Sequence, residues 1–289
     1  MFRLKNKIWK LIAALVVIFG LGGFLQRPAN GNAALTQGVQ RFMAWGKSNS
    51  AQSKGSTTGT TSQSQSTPPT KQEAAVVLTP EVRQQLGNNI VWNGHGAFII
   101  DNNQSGLNAN ISSAPYAVNQ VDSRGRAWRG DAWLNKTTRQ YQNRSTTGNG
   151  ATNWKPAGFL QAYNLTGGYS HAYDRGHLLG YALVDGIKGF DASESNPKNI
   201  ATQTAWANEA RSSTSTGQNY YEGIVRQALD QGKRVRYRVT DIYSGTSIVP
   251  AGAHIQAKSK DGSVDFNVFV PNVQNNIEIN YATGAVKQR

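Results

Sequence analysis

The sequence contains no cysteine among its 289 residues. Disulfide bonds, thiolate metal sites, a cysteine nucleophile and a lipidated cysteine anchor are therefore excluded. Histidine is also scarce, and its four positions are His95, His171, His177 and His254. So small a number, together with the absence of an HExxH motif, leaves little room for a zinc site built from three histidines.

Acidic residues are few, with 16 Asp and Glu against 30 Lys and Arg, and the formal net charge is +14. The excess is uneven, because residues 1–75 contain nine basic residues and one acid and therefore carry +8. Residues 76–289 carry the other +6. A basic protein favours anionic partners such as nucleic acid, anionic lipid or an acidic wall polymer. The composition does not choose among these three classes.

The N-terminal quarter of the chain has a targeting pattern followed by a low-complexity stretch. Residues 1–10 carry four basic residues and no acid, and residues 11–25 are uncharged. This pattern predicts a signal anchor over residues 1–30 with the following chain outside the cell membrane. A cleaved signal peptide is the alternative and would give a secreted protein. Residues 31–75, rich in Ser, Thr and Gln, are predicted to be a flexible linker, which leaves residues 76–289 as the folded domain.

Short helix and strand patterns fill residues 76–289 and predict an α+β domain. Residues 79–87 have the N-cap, the first-turn proline and the terminal glycine of a helix. Residues 220–230 repeat apolar side chains at helical spacing, and Gly232 ends that helix. Residues 254–270 are typical of a β-hairpin. Residues 233–239 alternate strictly, so apolar side chains should face inward and arginines outward. That outward row is either a second phosphate-tracking surface or a charged sheet face.

A second basic segment, residues 121–144, interleaves arginines with Trp128, Trp133 and Tyr141. Arginines beside aromatic rings suit a groove that grips phosphates and stacks bases. The alternative is a solvated basic surface whose aromatic side chains face the core. On the first interpretation, the candidate nucleic-acid contacts in this segment are Arg124, Arg126, Arg129 and Arg139.

The motif Asp174-Arg175-Gly176-His177 carries the strongest chemical signal. If residues 173–177 are extended, alternation places Arg175 and His177 on one face of the strand. A guanidinium could then hold a phosphate oxygen while the imidazole takes a proton from water. Gly176 leaves room for close approach of another group. A histidine that merely pairs with Asp174 at a strand end is the alternative.

The motif, together with Asn199, Asn208, Glu222 and Arg226, resembles the DNA/RNA non-specific endonucleases of the ββα-metal (His-Me finger) superfamily. The resemblance covers residues 91–286, and residues 173–240 are most similar to the membrane-anchored DNA-entry (competence) nucleases of Gram-positive bacteria. It implies an α+β fold in which helices flank a central antiparallel sheet. It also implies one Mg²⁺ ion, for which Mn²⁺ can substitute.

The resemblance further implies a role for each matching residue. His177 is expected to be the general base, and Asn208 the side-chain ligand of the metal ion. Glu222 would hold a metal-bound water, although its spacing from Arg226 is also that of an ordinary i,i+4 ion pair. Arg226, Arg144 and Arg175 are expected to contact phosphate, and Arg139 is the alternative to Arg144. Asn199 is expected to brace the motif and Asp174 to orient it. His171 and Gln203 are expected to line the nucleic-acid cleft without an assigned role.

The sequence thus predicts an exported, membrane-anchored endonuclease that cuts DNA, and by the same resemblance RNA, without sequence specificity. Its activity should rise as the pH passes through the range in which a histidine loses its proton. Two other interpretations remain open: a surface receptor that binds DNA without cutting it, and a protein that binds cell-wall polymer. DNA-uptake proteins are conceivable partners. The sequence leaves undecided the oligomeric state and the choice among DNA uptake, nutrient scavenging and extracellular DNA degradation.

Overall fold

The computed structural model describes residues 67–150 and 152–289. The predicted signal anchor and most of the predicted linker lie outside these residues. The end of the linker region is helical: α1 (Lys71–Ala75) begins at Thr70, which exchanges hydrogen bonds with Glu73, and its Ala74 is fully buried. The predicted linker boundary at residue 75 is therefore several residues late, because a capping box can start a helix within a polar stretch. Within the described ranges, no helix is long and apolar enough to cross a membrane.

A seven-stranded antiparallel sheet forms the centre of the domain. Its order is β1-β2-β9-β8-β7-β4-β3, and helix α2 (Pro80–Leu86) precedes it with the predicted Thr79 cap. The strands are β1 (Ile90–Trp92), β2 (Phe98–Ile100), β3 (Tyr116–Val121), β4 (Ala127–Leu134), β7 (Val235–Ile242), β8 (Gly252–Ser259) and β9 (Asp265–Pro271).

One face of the sheet carries the main hydrophobic core. The alternation predicted for β7 is confirmed, since Val235, Tyr237 and Val239 are all fully buried. They share one core with Tyr221 and Val225 of helix α5 (Gln218–Asp230). Burying the apolar stripe of α5 against this face removes a large apolar area from water, which is the main stabilising term for such a layer.

The opposite face of the sheet explains the outward arginines of β7. Arg236 Nη2 and Arg238 Nε each lie 2.9 Å from Asp131 Oδ1 on β4. The two guanidinium groups are therefore paired within the sheet. This arrangement favours a charged sheet face over a surface that tracks phosphates.

A two-stranded unit and a short helix form a separate corner on the core side of the sheet. Strands β5 (Tyr173–His177) and β6 (Ile200–Thr204) pair antiparallel, and helix α4 (Ala205–Glu209) follows β6 directly. We call β5, β6 and α4 the finger. It packs closely on the sheet, because a Cβ at Gly130 of β4 would lie 2.6 Å from Leu179, just beyond β5. A glycine at this position therefore sets the distance between the finger and the sheet.

Three smaller elements complete the described domain. Helix α3 (Tyr181–Val184) follows the finger's first strand, and the C-terminal strands β10 (Ile277–Ile279) and β11 (Val286–Gln288) pair antiparallel. Short 3₁₀ turns follow β2 and β4 at Asp101–Asn103 and Lys136–Thr138.

Candidate active site

The finger opens onto a cavity of about 980 Å³. His177, at the end of β5, and Asn208, on α4, both line this cavity although they are 31 positions apart in the sequence. The finger brings them together because β6 returns antiparallel to β5 and α4 starts where β6 ends. The other lining residues are Arg144, Lys155, Phe159, Leu160, Gln161, Tyr163, His171, Tyr173, Asp174, Arg175, Glu194 and Glu209.

The carboxamide of Asn208 is held in one orientation. Its Nδ2 donates to Asp174 Oδ2 at 3.0 Å, and the other oxygen of Asp174 lies 2.9 Å from His171 Nε2. Because a carboxylate can only accept, the nitrogen of the amide must face Asp174. The amide oxygen, Oδ1, is buried and has no hydrogen-bond partner among the described residues.

A buried carbonyl oxygen without a partner destabilises a protein unless something binds it. Hard divalent cations such as Mg²⁺ prefer oxygen ligands of this kind and retain several waters. Carboxylates of Asp174 and Glu209 lie beside Asn208, and together with His171 they place ligand atoms within 4.8 Å of one another. The donor set therefore fits a divalent cation at this end of the cavity.

His177 is fixed by a buried carboxylate. Its Nε2 lies 3.0 Å from Glu222 Oε1, and Glu222 is only 4% exposed. Burial opposes ionisation of Glu222, but the charge and hydrogen bond of His177 and the guanidinium of Arg226 outweigh it, so the pKa of Glu222 lies below its ordinary value. An ionised Glu222 can only accept, so His177 Nε2 carries a hydrogen, and in the neutral imidazole the lone pair is on Nδ1.

Glu222 thus contacts the histidine, whereas the sequence predicted that it would hold a metal-bound water. Arg226 is also occupied within its own helix: Nη1 donates to Glu222 Oε2 at 3.3 Å, and Nη2 donates to Asn219 Oδ1 at 2.6 Å. The i,i+4 pair expected from spacing is therefore present. The structure does not place Arg226 among the residues that line the cavity.

Two glycines leave room for side chains that pack closely against β5 and the turn that follows it. A Cβ at Gly176 would lie 2.3 Å from Gln203 Oε1, and one at Gly180 would lie 2.7 Å from Glu222 Oε1. Gln203 was predicted to contact nucleic acid, but it is 6% exposed, donates to Gln218 Oε1 and lies behind the strand. Gln218 in turn donates to the backbone oxygen of His177 at 2.6 Å. The expectation for Gln203 is therefore corrected to a supporting position.

Asn199 occupies the bracing position implied for it. It is fully buried, its Oδ1 accepts from the backbone N of Leu179 at 3.0 Å, and its Nδ2 donates to the backbone O of Leu179 at 3.1 Å. Asn119 Nδ2 on β3 donates to the same Oδ1. The side chain thus ties the segment after His177 to the main sheet.

Two of the predicted phosphate-binding arginines line the cavity but are already partly bonded. Arg144 Nη1 donates to the backbone O of Ala192 at 2.6 Å, its Nε lies 3.5 Å from Glu194, and burial lowers its pKa. Arg175 donates through Nε to the backbone O of Trp154 and through Nη2 to that of Thr152, both at 2.8 Å. Arg175 therefore fixes a wall of the cavity and has one nitrogen, Nη1, without such a bond.

The arginines predicted in residues 121–139 do not line this cavity. Arg126 pairs with Asp122 and donates to the backbone O of Ser247, and Arg139 pairs with Asp230. The other two are Arg124, which is exposed in the β3–β4 turn, and Arg129, whose Nε donates to Thr240. Trp133 is fully buried. Trp133 therefore belongs to the buried interior, as in the alternative interpretation, whereas Tyr141 is 65% exposed.

Sequence reasoning missed several lining residues. Glu209 directly follows Asn208, and burial with the charge of Asp174 raises its pKa to about 7. Its adjacency to Asn208 on α4 was an available signal. Lys155, Leu160 and Tyr163 lie on an irregular segment without a periodic pattern, so no sequence rule pointed to them.

The profile of the DNA/RNA non-specific endonuclease family matches residues 93–286. The chain belongs to the DNA/RNA non-specific endonuclease family. A crystal structure of NucA from Streptococcus agalactiae with a magnesium ion bound is 42% identical, with a TM-score of 0.69 over 76% of this chain and 97% of that one. The same protein without metal is 41% identical, with a TM-score of 0.67 over 75% of this chain and all of that one.

A more distant structure, Sda1 nuclease with a bound zinc ion, is 16% identical, with a TM-score of 0.51 over 68% of this chain and 98% of that one. At this identity the likeness concerns the fold alone. The family assignment confirms the predicted non-specific endonuclease family, and the structural matches confirm the α+β ββα-metal fold with its central antiparallel sheet.

Proposed function

We propose that this member of the family hydrolyses phosphodiester bonds of DNA and RNA without sequence specificity, with Mg²⁺ as its cofactor and Mn²⁺ able to replace it. One observation carries the proposal. The cavity is lined by His177, whose Nε2 is held by Glu222, and by Asn208, whose buried carboxamide oxygen has no hydrogen-bond partner among the described residues. No base-reading module is present among the described residues, so backbone contacts are expected to dominate binding.

The residues divide the reaction as follows. Nδ1 of His177 takes a proton from a water molecule as that water forms a bond to phosphorus. The bond from phosphorus to the 3′ oxygen breaks, and the 3′ oxygen leaves with the bonding electron pair and takes a proton from solvent water. Glu222, bonded to Nε2, stabilises the imidazolium that results and keeps the ring in place. Arg144 and Lys155 draw the anionic strand into the cavity.

A divalent cation would be held by Asn208 Oδ1, and the carboxylates of Asp174 and Glu209 in the same cavity could accept hydrogen bonds from its water molecules. When bound, such an ion stabilises negative charge on the phosphate and on the leaving oxygen. Asp174 has a second task, since it orients the Asn208 amide. His171 supports Asp174 from the other side, and its own pKa is raised by that hydrogen bond.

We further propose that residues 1–30 anchor the protein in the cell membrane and that residues 76–289 act outside the cell. The basic flank followed by an uncharged run supports this location. Degradation of DNA during uptake, with DNA-uptake proteins as partners, would suit an enzyme at that surface. Protease treatment of intact cells should remove the domain but leave the first residues protected. Recovery of all activity in the culture medium would instead indicate cleavage of the leader.

The proposed reaction is tested by digestion of plasmid DNA and of RNA with the full chain, in Mg²⁺ and in EDTA. Mg²⁺ should permit cutting of both substrates and EDTA should stop it. His177→Ala should lose cutting but still shift DNA in a gel, whereas His95→Ala, outside the cavity, should cut normally. Asn208→Ala should lose cutting and also bind Mn²⁺ more weakly by calorimetry. DNA binding without any cutting by the unaltered chain would leave a surface receptor as the function.

A further inference from the structure

One wall of the cavity is an irregular segment, residues 152–165, that we call the cleft wall. It has no helix or strand, yet side chains of the finger hold it in place. Arg175 donates to the backbone oxygens of Thr152 and Trp154, and Thr202 Oγ1 donates to that of Ala157 at 2.8 Å. In return, Gln161 Oε1 accepts from the backbone N of Tyr173 at 2.9 Å. The cleft wall is therefore anchored to both finger strands.

This anchored wall presents two large apolar side chains to solvent. Leu160 is 55% exposed and Tyr163 is 69% exposed, and both line the cavity that contains His177 and Asn208. Burial of these side chains does not drive folding, because they are mostly in water in the folded protein. The backbone of Tyr163 pairs with that of His171, so the ring projects from a fixed position beside the finger.

The surroundings of Tyr163 match the chemistry of a nucleic-acid strand. Lys155 and Arg144 line the same cavity and offer positive charge to its phosphates. A tyrosine ring offers a flat apolar face on which a base can stack, and stacking of this kind tolerates any sequence. A ring held by an anchored backbone also loses little freedom on binding, which favours affinity.

We propose that Tyr163, with Leu160 beside it, is a stacking site for an unpaired nucleobase of the strand bound in the cavity. Bases inside a duplex are stacked on both faces, so the site selects single-stranded nucleic acid or a locally opened duplex. The inference rests on the proposed function, because it assigns the substrate of the same cavity.

Binding can be measured without cleavage by placing every change in a full-length His177→Ala background. The probe is a fluorescein-labelled oligothymidylate of about twelve nucleotides, followed by fluorescence anisotropy in Mg²⁺. Tyr163→Ala should weaken binding by about 5- to 150-fold, the range for loss of one base–aromatic stack. Tyr163→Phe should bind as tightly as the parent. Tyr141→Ala is the matched control, because Tyr141 is 65% exposed but bonds to Asp230 away from the cavity.

A second oligonucleotide with abasic sites in place of every base isolates the stacking contact. The parent should bind it more weakly than oligothymidylate, and Tyr163→Ala should cause no further loss. An equal loss on both oligonucleotides, or none on either, would overturn the inference. So would sedimentation data showing that Tyr163→Ala only dissociates a dimer of this chain. Failure of the unaltered protein to cut DNA would count against the proposed function alone, since none of these binding measurements depends on cleavage.

Discussion

Asp241 is a buried acidic residue next to the finger, and replacing Asp241 should change how the free energy of unfolding depends on pH. It lies on β7, an interior strand of the sheet, is 7% exposed, and lines a small cavity of about 10 Å³ together with His177 and Gln203. Burial raises the pKa of Asp241 to about 8. An unfolded aspartate has a pKa near 4, so the folded state holds a proton that the unfolded state releases.

The sign and size of the effect follow from this difference. Between the unfolded and folded pKa values the folded protein binds one more proton, so the free energy of unfolding falls as the pH rises. The slope is about 1.4 kcal/mol for each pH unit, which gives about 2.5 kcal/mol lost between pH 5.5 and pH 7.5. This is an upper bound, because the adjoining cavity has room for about one water molecule that would solvate the carboxylate.

Urea denaturation of the full chain at pH 5.5, 6.5 and 7.5 measures the effect directly. Asp241→Asn has nearly the same shape without the titration, so its advantage over the unaltered protein should grow with each step in pH. The control is Asp261→Asn, because the hydroxyls of Ser259 and Ser263 hold the pKa of Asp261 well below its usual range. Its effect should be the same at all three pH values. Parallel curves for Asp241→Asn and the unaltered protein would refute the reasoning.

Four further substitutions test the supporting structure and the cavity. Asn199→Ala should lower the free energy of unfolding by on the order of 3 kcal/mol, because buried backbone groups lose their partner, and calorimetry should show a lower Tm. Gly176→Ala should lower the free energy of unfolding by about 1–3 kcal/mol through overpacking against Gln203. A variant as stable and active as the parent would contradict the close contact between Gly176 and Gln203. Arg126→Ala should lower the free energy of unfolding by about 2 kcal/mol and leave kcat/KM for DNA unchanged. Arg144→Ala should lower kcat/KM for DNA. A loss of kcat/KM in Arg126→Ala but not in Arg144→Ala would support the predicted role of residues 121–139 in nucleic-acid binding.

Local signals in the sequence were sufficient for much of the fold. The helix at residues 80–86 follows from a cap, a first-turn proline and a terminal glycine, and the inward face of β7 follows from strict alternation. The helix at residues 71–75 could not be found from composition, because it depends on one capping box and on burial of a single alanine. Burial is set by the rest of the fold, and a short polar stretch does not encode it.

The site shows the same division between local and tertiary information. The pairing of His177 with Asn208 in one cavity came from family resemblance, since their separation in sequence says nothing about distance. Charge density could not tell which arginines serve the cavity, because Arg126 and Arg139 are used by nearby carboxylates while Arg144 reaches the cleft. Likewise, Glu222 contacts His177 because α5 packs next to the end of β5, and this packing cannot be predicted from the spacing of residues in the sequence.

The balance of charge in the cavity gives a physical reason for a divalent cation. Basic and acidic side chains line it in equal number: Arg144, Lys155 and Arg175 against Asp174, Glu194 and Glu209. Two of those basic side chains, Arg144 and Arg175, already donate hydrogen bonds to backbone oxygens of the protein. A phosphodiester that enters beside Asp174 brings a further negative charge next to a carboxylate, and the cost of like charges is large away from bulk water. The protein has oriented a neutral carboxamide oxygen at this position, which can bind a cation without adding further negative charge to the cleft.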